Sequence, residues 1–299
     1  MAPTLIIIGG PTASGKTRAA AGLALHLGTE VISGDSRQFY RAMRIGTARP
    51  TEKDLLGVPH HFLGHLELEE TWSAGHFARE AEPVLQRLLA SHGVAILVGG
   101  SGLYLDALIK GLDPLPAGDP HTRERIQERF RAEGLAPLLE ELMRHDPDTM
   151  RTIDRANPHR VIRALEICLI TGRPYSTLRS SPQDRKDIRL IRIAMDLPRE
   201  ELYGRIDARV DLMVANGLEE EARSLVPYKA LNALQTVGYR EWFAHFAGEL
   251  DRTAAIALIK QHTRNYAKRQ ITWLRRDPNW RWLPADELHT HMAHVEAAR

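Results

Sequence analysis

Residues 10–17 have the composition and spacing of a loop that binds phosphate groups. They read GPTASGKT and match the pattern G-x-x-x-x-G-K-[ST], in which glycines let the backbone close around an anion so that successive N–H groups point at it. The lysine supplies a positive charge, and the closing hydroxyl can ligate Mg²⁺ or donate to a phosphate. The candidate phosphate-binding residues are Gly10, Pro11, Thr12, Ala13, Ser14, Gly15, Lys16 and Thr17.

The segments on either side of this loop are those that a phosphate site requires. The apolar run at 5–8 predicts a buried strand, and the Ala- and Leu-rich segment at 18–27 predicts a helix, whose N-terminal dipole adds positive potential. This context favours a ligand site over a chance glycine turn. The pattern indicates a polyphosphate, but neither the molecule that carries it nor whether a phosphoryl group is transferred.

A second predicted strand, 29–33, is followed by a polar loop that begins with Asp35. The Asp35 carboxylate has two candidate functions, to position Mg²⁺ or to accept a proton from a nucleophile. The alternative is a helix N-cap, which needs no ligand. Gln38 in the same loop can read a base edge, or it can be a solvated helix position.

A third predicted strand, 94–98, runs into the sequence Gly-Gly-Ser-Gly, with Ser101 as its hydroxyl. Many phosphate-loop ATPases and GTPases have an Asp at this point to hold Mg²⁺. Its replacement by glycines argues against ordinary nucleotide hydrolysis. Glycines allow close approach of a ligand to the backbone, although a flexible turn is the alternative interpretation.

Composition and charge exclude several classes of protein. The 299 residues are 43% hydrophobic and 26% charged, which is typical of a globular protein, and the net charge of +2 indicates no particular partner. The single cysteine, Cys168, excludes an internal disulfide and a Cys-based zinc site and fits a reducing cytoplasm. We expect neither a secretory signal nor a membrane-spanning segment.

The order of predicted elements indicates an α/β fold. Strands alternate with helices over the first ~113 residues, which predicts a mainly parallel sheet flanked by helices, similar to the P-loop NTPases. Because ligands of such sheets bind at the carboxyl ends of the strands, the three polar loops should converge.

Proline-rich breaks divide the chain into two predicted domains. Residues 113–120 contain three prolines, and a second Ser/Pro-rich joint covers 175–183. The sequence between them is helical, and an alternating apolar segment at 188–195 predicts a strand that returns to the sheet. We therefore predict a catalytic core formed by 1–113 and 187–299, with a helical insertion domain at 114–186.

Several motifs, taken together, resemble the bacterial tRNA dimethylallyltransferases, also called tRNA isopentenyltransferases. The phosphate loop is followed by D-S-x-Q-x-Y at 35–40 and by GG[ST]GLY at 99–104, with Ser101 where Thr is common. Further matches are NPHRVIRALE at 157–166, RIDARV at 205–210, VGYRE at 237–241 and TRNYAKRQITWLR at 263–275. The resemblance covers nearly the whole chain.

This resemblance implies transfer of a dimethylallyl group from dimethylallyl diphosphate to N6 of the adenosine that lies 3′ of the anticodon in tRNA, with release of diphosphate. It implies that the phosphate loop and Mg²⁺ hold the leaving diphosphate and that Asp35 is the base. Thr17, also the expected metal ligand, and Ser101 would flank the reacting atoms. Arg205 and Arg209 are further candidates for diphosphate contact, with surface ion pairing as the alternative.

The resemblance also implies contacts to the anticodon stem-loop, whose target base must be splayed into the site. A solvated basic surface is the alternative for the cations of the insertion. The implied tRNA-binding residues are Asp35, Ser36, Arg37, Gln38, Ser101, Arg123, His159, Arg160, Val161, Ile162, Arg163, Thr236, Gly238, Tyr239 and Arg240.

A late basic helix supplies another candidate tRNA surface. Between residues 260 and 281 there are seven Lys or Arg against one acid, and Lys260, Arg264 and Lys268 recur at every fourth position. Such a stripe of cations without acids suits contacts with the phosphate backbone.

Three other functions remain open: a prenyltransferase that acts on free AMP, ADP or ATP, a small-molecule kinase that binds ATP in the same loop, and a nucleic-acid-binding protein without chemistry. The helical insertion and the basic helix argue against a mononucleotide acceptor, which needs no such surface. We expect a monomer.

Overall fold

The computed structural model describes residues 2–180 and 183–298 and contains a six-stranded parallel sheet. The order across the sheet is β3-β2-β4-β1-β5-β6. In chain order the strands are β1 Thr4–Gly9, β2 Val31–Ser33, β3 His60–His61, β4 Val94–Gly99, β5 Arg189–Asp196 and β6 Arg281–Pro284. The predicted fold class is confirmed, and the two strands that the sequence did not predict are the short outer ones, β3 and β6.

Helices occupy much of the remaining described chain. They are α1 Lys16–Leu27, α2 Glu52–Leu55, α3 Ala74–His92, α4 Gly102–Ile109, α5 Pro120–Glu133, α6 Ala136–His145, α7 Pro147–Thr152, α8 Pro158–Thr171, α9 Arg199–Ala215, α10 Leu218–Ser224, α11 Arg240–Phe246, α12 Arg252–Leu274 and α13 Leu288–Ala298. None of the helices in the described ranges is long and apolar enough to cross a membrane.

The sheet has a hydrophobic core on each face. Successive side chains of a strand point to opposite faces, so Leu5 and Ile7 of β1 join one core, and Ile6 and Ile8 join the other. All four are fully buried. Burial on both faces explains why this strand is an uninterrupted apolar run.

The sheet order places three loops side by side. Strands β2, β4 and β1 are consecutive neighbours, with Gly9 paired to Gly99 and Ser33 paired to Val98. Because the strands are parallel, the loops that follow them leave from the same edge. The predicted convergence of the loops at 10–15, 34–38 and 100–101 is therefore confirmed at the level of the backbone.

The chain forms two compact units, one that ends at Ile109 and resumes at Arg185, and another that runs from Lys110 to Asp184. The predicted insertion had boundaries at 114 and 186. The second unit contains α5 to α8 around an apolar core that includes Ile126, Leu138 and Leu165.

Local sequence explains where the helices of this second unit begin. Asp119, Asp146 and Asn157 each accept a hydrogen bond from a backbone N–H of the first turn of α5, α7 and α8, respectively. A proline follows each cap, at a helical position where its missing N–H costs nothing. In the predicted joint at 175–183, residues Tyr175–Leu178 form a 3₁₀ turn, whereas 181–182 lie outside the described residues.

Candidate active site

The loop between β1 and α1 curves around the N-terminus of the helix. Gly15, the N-cap of α1, has φ 81° and ψ 2°, and Ala13 has φ 65°. Left-handed residues turn successive N–H groups toward one side, which creates a concave anion site. A non-glycine residue in this region is strained, and such strain concentrates at ligand sites.

Lys16 places a buried positive charge beside this loop. Its Nζ donates to the Pro11 carbonyl oxygen at 3.5 Å, and the residue as a whole is 9% exposed. Burial lowers the pKa of Lys16 to about 8, against the opposing effect of the Asp35 carboxylate and with a further lowering from Arg209. An anion bound here would gain a strong partner because little water screens the ammonium.

Arg209 adds a second cation from α9. Its Nη1 donates to the Thr12 hydroxyl at 3.5 Å, and burial lowers its pKa. Both side chains border a cavity of about 440 Å³ that also contains Thr17 on its wall. The phosphate loop, Lys16 and Arg209 thus make one end of the cavity cationic.

The loop after β2 supplies a carboxylate to the same cavity. Asp35 Oδ1 accepts the Arg37 N–H at 3.2 Å, and the Asp35 carbonyl accepts the Gln38 N–H at 3.1 Å. Residues 36–39 form turns and no helix begins there, so the helix N-cap alternative is wrong. The Asp35 carboxylate thus accepts a hydrogen bond within its own loop and also lines the cavity.

Ser101 joins the loops after β2 and β4. Its Oγ accepts the Ser36 N–H at 3.2 Å and lies 3.1 Å from the Ser36 hydroxyl. Tyr266 of α12 is hydrogen bonded to Ser101, and burial together with the Asp35 charge raises the pKa of Tyr266 to about 12. The side chains of Ser101, Ser36, Tyr266 and Asp35 form a neutral-to-anionic polar group, and the Asp35 charge also acts on Lys16 against the effect of burial.

Gln38 is held in one orientation. Its Nε2 donates to the carbonyl oxygens of Thr47 at 3.1 Å and Ala48 at 3.2 Å. Two carbonyls can only accept, so the amide nitrogen must face them. The solvated alternative is therefore wrong, and the remaining polar atom, Oε1, is an acceptor for a ligand N–H.

Helix α12 forms one wall of the cavity, which was not predicted from the sequence. Ile259, Thr263, Tyr266 and Arg269 line it, at the i, i+4, i+7 and i+10 spacing of one helix face. The predicted cationic stripe lies on a different face of the same helix. The polar residues Thr263, Tyr266 and Gln270 could have indicated this wall, because they share one helix face and follow one another at intervals of three or four.

The interpretation of the stripe as cations without acids is wrong. Lys260 Nζ lies 2.6 Å from a carboxylate oxygen of Asp211, and Arg264 Nη1 lies 2.5 and 2.8 Å from the two oxygens of Asp207. Lys268 lies 6.0 Å from the centre of the Tyr203 ring. The acids belong to α9, so a pattern within one helix could not show them.

Three of the residues predicted to contact tRNA have buried side chains. Tyr239 is 0% exposed, and its hydroxyl donates to Glu221 at 2.7 Å. Val161 and Ile162 pack in the core of the second unit at 0% and 8% exposure. The apolar periodicity of α8 could have predicted the burial of Val161 and Ile162.

Other predicted residues are held by neighbours. Arg205 pairs with Asp286 and Glu201, so the alternative of ion pairing is the one observed, although Asp286 lies near Gly15 of the phosphate loop. Arg37 Nη1 donates to the carbonyls of Asn232 and Ala233 at 2.8 and 3.0 Å.

In the second unit, one buried carboxylate organises two of the predicted arginines. Glu166, fully buried, accepts from both Arg123 and Arg163 at 2.8 Å. His159 and Arg160, at the start of α8, are exposed. In the first unit, Thr236, Gly238 and the exposed Arg240 line the cavity, as do the predicted contacts at 35–38.

The described residues contain no group of three or more His, Cys, Asp or Glu that could hold a metal ion. Thr17 and Asp35 border the same small recess beside Lys16. One hydroxyl and one carboxylate fit Mg²⁺, which keeps several waters and takes its other ligands from substrate phosphates.

Comparison with known proteins gives concordant matches. The family profile described as IPPT, IPP transferase, matches residues 38–277. The tRNA dimethylallyltransferase of Christiangramia forsetii is 46% identical over 287 residues, which cover 96% of this chain and 95% of that protein.

Solved structures agree with this comparison. The full-length tRNA isopentenylpyrophosphate transferase of Bacillus halodurans superposes with a TM-score of 0.72 at 35% identity, over 99% of this chain and 96% of that one. A eukaryotic dimethylallyltransferase acting on tRNA gives a TM-score of 0.79 at 24% identity, over 98% and 77% of the two chains, which shows a shared fold.

The lowered pKa of Lys16 predicts that inorganic diphosphate binds less tightly as the pH rises above about 8. Bound anion favours the ammonium form and raises its pKa, so affinity should fall by up to about tenfold per pH unit above that value, with proton uptake on binding. Isothermal titration calorimetry in buffers of different ionisation enthalpy measures both. Lys16→Met removes the titrating group and controls for ionisation of diphosphate itself. Parallel pH dependence in the two proteins would contradict the prediction.

Proposed function

The chain belongs to the IPP transferase family, and we propose that it transfers the dimethylallyl group of dimethylallyl diphosphate to N6 of the adenosine 3′-adjacent to the anticodon of tRNA. The observation that carries this proposal is the polarity of one cavity, which is cationic at the phosphate loop and has a carboxylate at Asp35. A leaving anion and a proton-releasing amine require these two ends.

The cationic end is suited to the leaving group. As the C–O bond of the allylic diphosphate breaks, negative charge grows on the diphosphate oxygens. The buried charges of Lys16 and Arg209 and the N–H groups of the loop would stabilise that charge without reorganisation. Mg²⁺, bound through the phosphates and the Thr17 hydroxyl, would supply further Lewis-acid stabilisation.

The carboxylate end is suited to the acceptor. The N6 nitrogen forms a bond to C1 of the dimethylallyl group while the C1–O bond breaks, and the N6 proton passes to Asp35. Gln38 presents an amide oxygen, fixed by Thr47 and Ala48, that can accept an N–H from an exocyclic amine. A base with a carbonyl oxygen at that position would place a second acceptor against the Gln38 oxygen, and no hydrogen bond would form.

An apolar section of the cavity wall favours a prenyl donor over a nucleotide. Val210, Met213 and Ile259 line the same cavity as the phosphate loop. They provide an environment for a five-carbon tail and offer no hydrogen bonds to a ribose. This composition supports an allylic diphosphate over ATP.

The tRNA would approach over surfaces that remain exposed. Arg123, His159 and Arg160 in the second unit, and Arg240 and Lys268 in the first, are predicted contacts whose side chains are exposed. The tRNA substrate and the free thiol of Cys168 support a cytoplasmic location.

Labelled dimethylallyl diphosphate with Mg²⁺ and unmodified tRNA should give labelled tRNA, and AMP in a parallel reaction should give none. The label, located by nuclease digestion and mass spectrometry, should lie on the adenosine 3′ of the anticodon. Label in AMP alone would overturn the proposal in favour of a mononucleotide acceptor. Consumption of ATP with a phosphorylated product would instead indicate a kinase.

Asp35→Asn should lower the rate of transfer by roughly 10²- to 10⁴-fold, the usual contribution of a general base, while tRNA and diphosphate still bind. Single-turnover kinetics and filter binding separate the two effects. Glu67→Gln is the control, because Glu67 is an exposed carboxylate paired with Arg41 at the surface. Near-normal turnover of Asp35→Asn would show that another group accepts the proton.

Arg160→Ala should weaken tRNA binding and reduce the slope of log affinity against log salt by about 0.7–0.9, the value for one phosphate contact. The control is Arg151→Ala on α7, since Arg151 already pairs with Asp148 at 2.9 Å. Affinities measured between 50 and 200 mM salt, roughly the range in which such contacts dominate, give both slopes. An unchanged slope for Arg160→Ala would remove this residue from the tRNA surface.

A further inference from the structure

One buried amide in α12 connects two of the three loops that form the cavity. Gln270 is 6% exposed. Its Oε1 accepts the Thr12 N–H at 2.8 Å, and its Nε2 donates to the Gly100 carbonyl at 2.9 Å. Thr12 belongs to the phosphate loop, and Gly100 directly precedes Ser101.

The chemistry of these two partners requires an amide in one orientation. A backbone N–H only donates and a carbonyl only accepts, so the connecting side chain must offer an acceptor on one side and a donor on the other. A carboxylate can satisfy Thr12 but would place negative charge against the Gly100 oxygen. A thioether of similar length cannot donate to Gly100 and is only a weak acceptor for the Thr12 N–H.

Close approach makes this contact specific. A Cβ at Gly100 would lie 2.1 Å from Gln270 Nε2, so any larger residue there would displace the amide. A contact within the chain, with no ligand involved, therefore explains why this position of the loop after β4 is a glycine. It also shows that the Thr12 N–H is directed at Gln270, which corrects the expectation that this N–H faces a phosphate.

The two loops position different groups of the proposed reaction, the diphosphate site and the Asp35 base. Thr12 is in contact with Arg209 at the cationic end, whereas Ser101 contacts the Ser36 backbone next to Asp35. The position of Gly100 relative to Thr12 therefore influences the distance between the diphosphate and the acceptor amine. Displacements of about 1 Å at reacting groups can cost roughly a hundredfold in rate.

We propose that Gln270 is a positioning residue for prenyl transfer, which fixes the separation of the phosphate loop and the Ser101–Asp35 group through its two hydrogen bonds. The proposal rests on the proposed function. Gln270 touches neither the diphosphate nor the adenine in this role. Its substitution should therefore affect the rate of transfer more than the affinity for diphosphate.

Two substitutions separate positioning from simple loss of structure. Gln270→Met removes both hydrogen bonds at similar volume and should lower the single-turnover rate by about 10- to 100-fold, with diphosphate affinity within a few-fold of the wild type. Gln261→Met, an exposed position on the same helix, is the matched control and should leave both quantities unchanged.

Gln270→Glu gives a signature that a passive packing role would not. An ionised glutamate loses the bond to Gly100, whereas a protonated glutamate accepts from Thr12 and donates to Gly100 as glutamine does. Burial beside a carbonyl favours the protonated form. The ratio of the variant rate to the wild-type rate should therefore rise by about tenfold or more from pH 8.5 to pH 6, one pKa unit being a factor of ten. Gln261→Glu should give a constant ratio.

The outcomes distinguish this proposal from the one on which it rests. A wild-type protein that transfers no label to tRNA would overturn the proposed function. An active wild type with a Gln270→Glu ratio that stays flat with pH would overturn the role of Gln270 alone. If thermal melting shows Gln270→Met to be unfolded, the pH profile of Gln270→Glu still decides.

Discussion

Positive charge buried beside a glycine loop is the constraint on which the site depends. Lys16 and Arg209 are both withdrawn from water, which lowers the pKa of each, and the charges of Asp35 and Asp54, respectively, oppose that lowering. Such charges are costly unless a ligand supplies the opposite charge. A bound anion would lower this cost for Arg209. Arg205 differs, because Asp286 and Glu201 already neutralise its guanidinium.

The sheet and α12 together turn this charge into a reaction site. The order β2-β4-β1 brings a carboxylate, a hydroxyl and an anion cradle to one edge, and α12 covers them. The same helix contributes Tyr266 beside Ser101 and the Gln270 amide between the loops. Hydrogen bonds to backbone groups hold these loops without consuming the charges that the chemistry needs.

Local patterns predicted what depends on local sequence. The apolar run of β1, the glycine loop, the capped helices of the second unit and the span of α12 all follow from short-range rules. Contacts between distant segments did not follow. Asp207 and Asp211 neutralise Arg264 and Lys260 from another helix, and the full burial of Tyr239 depends on Glu221, 18 residues away. The motif that includes Tyr239 was informative about family, but not about which of its side chains face a ligand.

The contact between Thr12 and Gln270 spans 258 positions of the chain, and this separation has a consequence for biosynthesis. Synthesis proceeds from the N-terminus, so the phosphate loop and its strand emerge long before the helix that completes the cavity. The anion cradle is made first, and the wall formed by α12 follows only after β5 and helices α9 to α11. The cavity can thus be completed only after strands β1 to β5 and the second unit have been made.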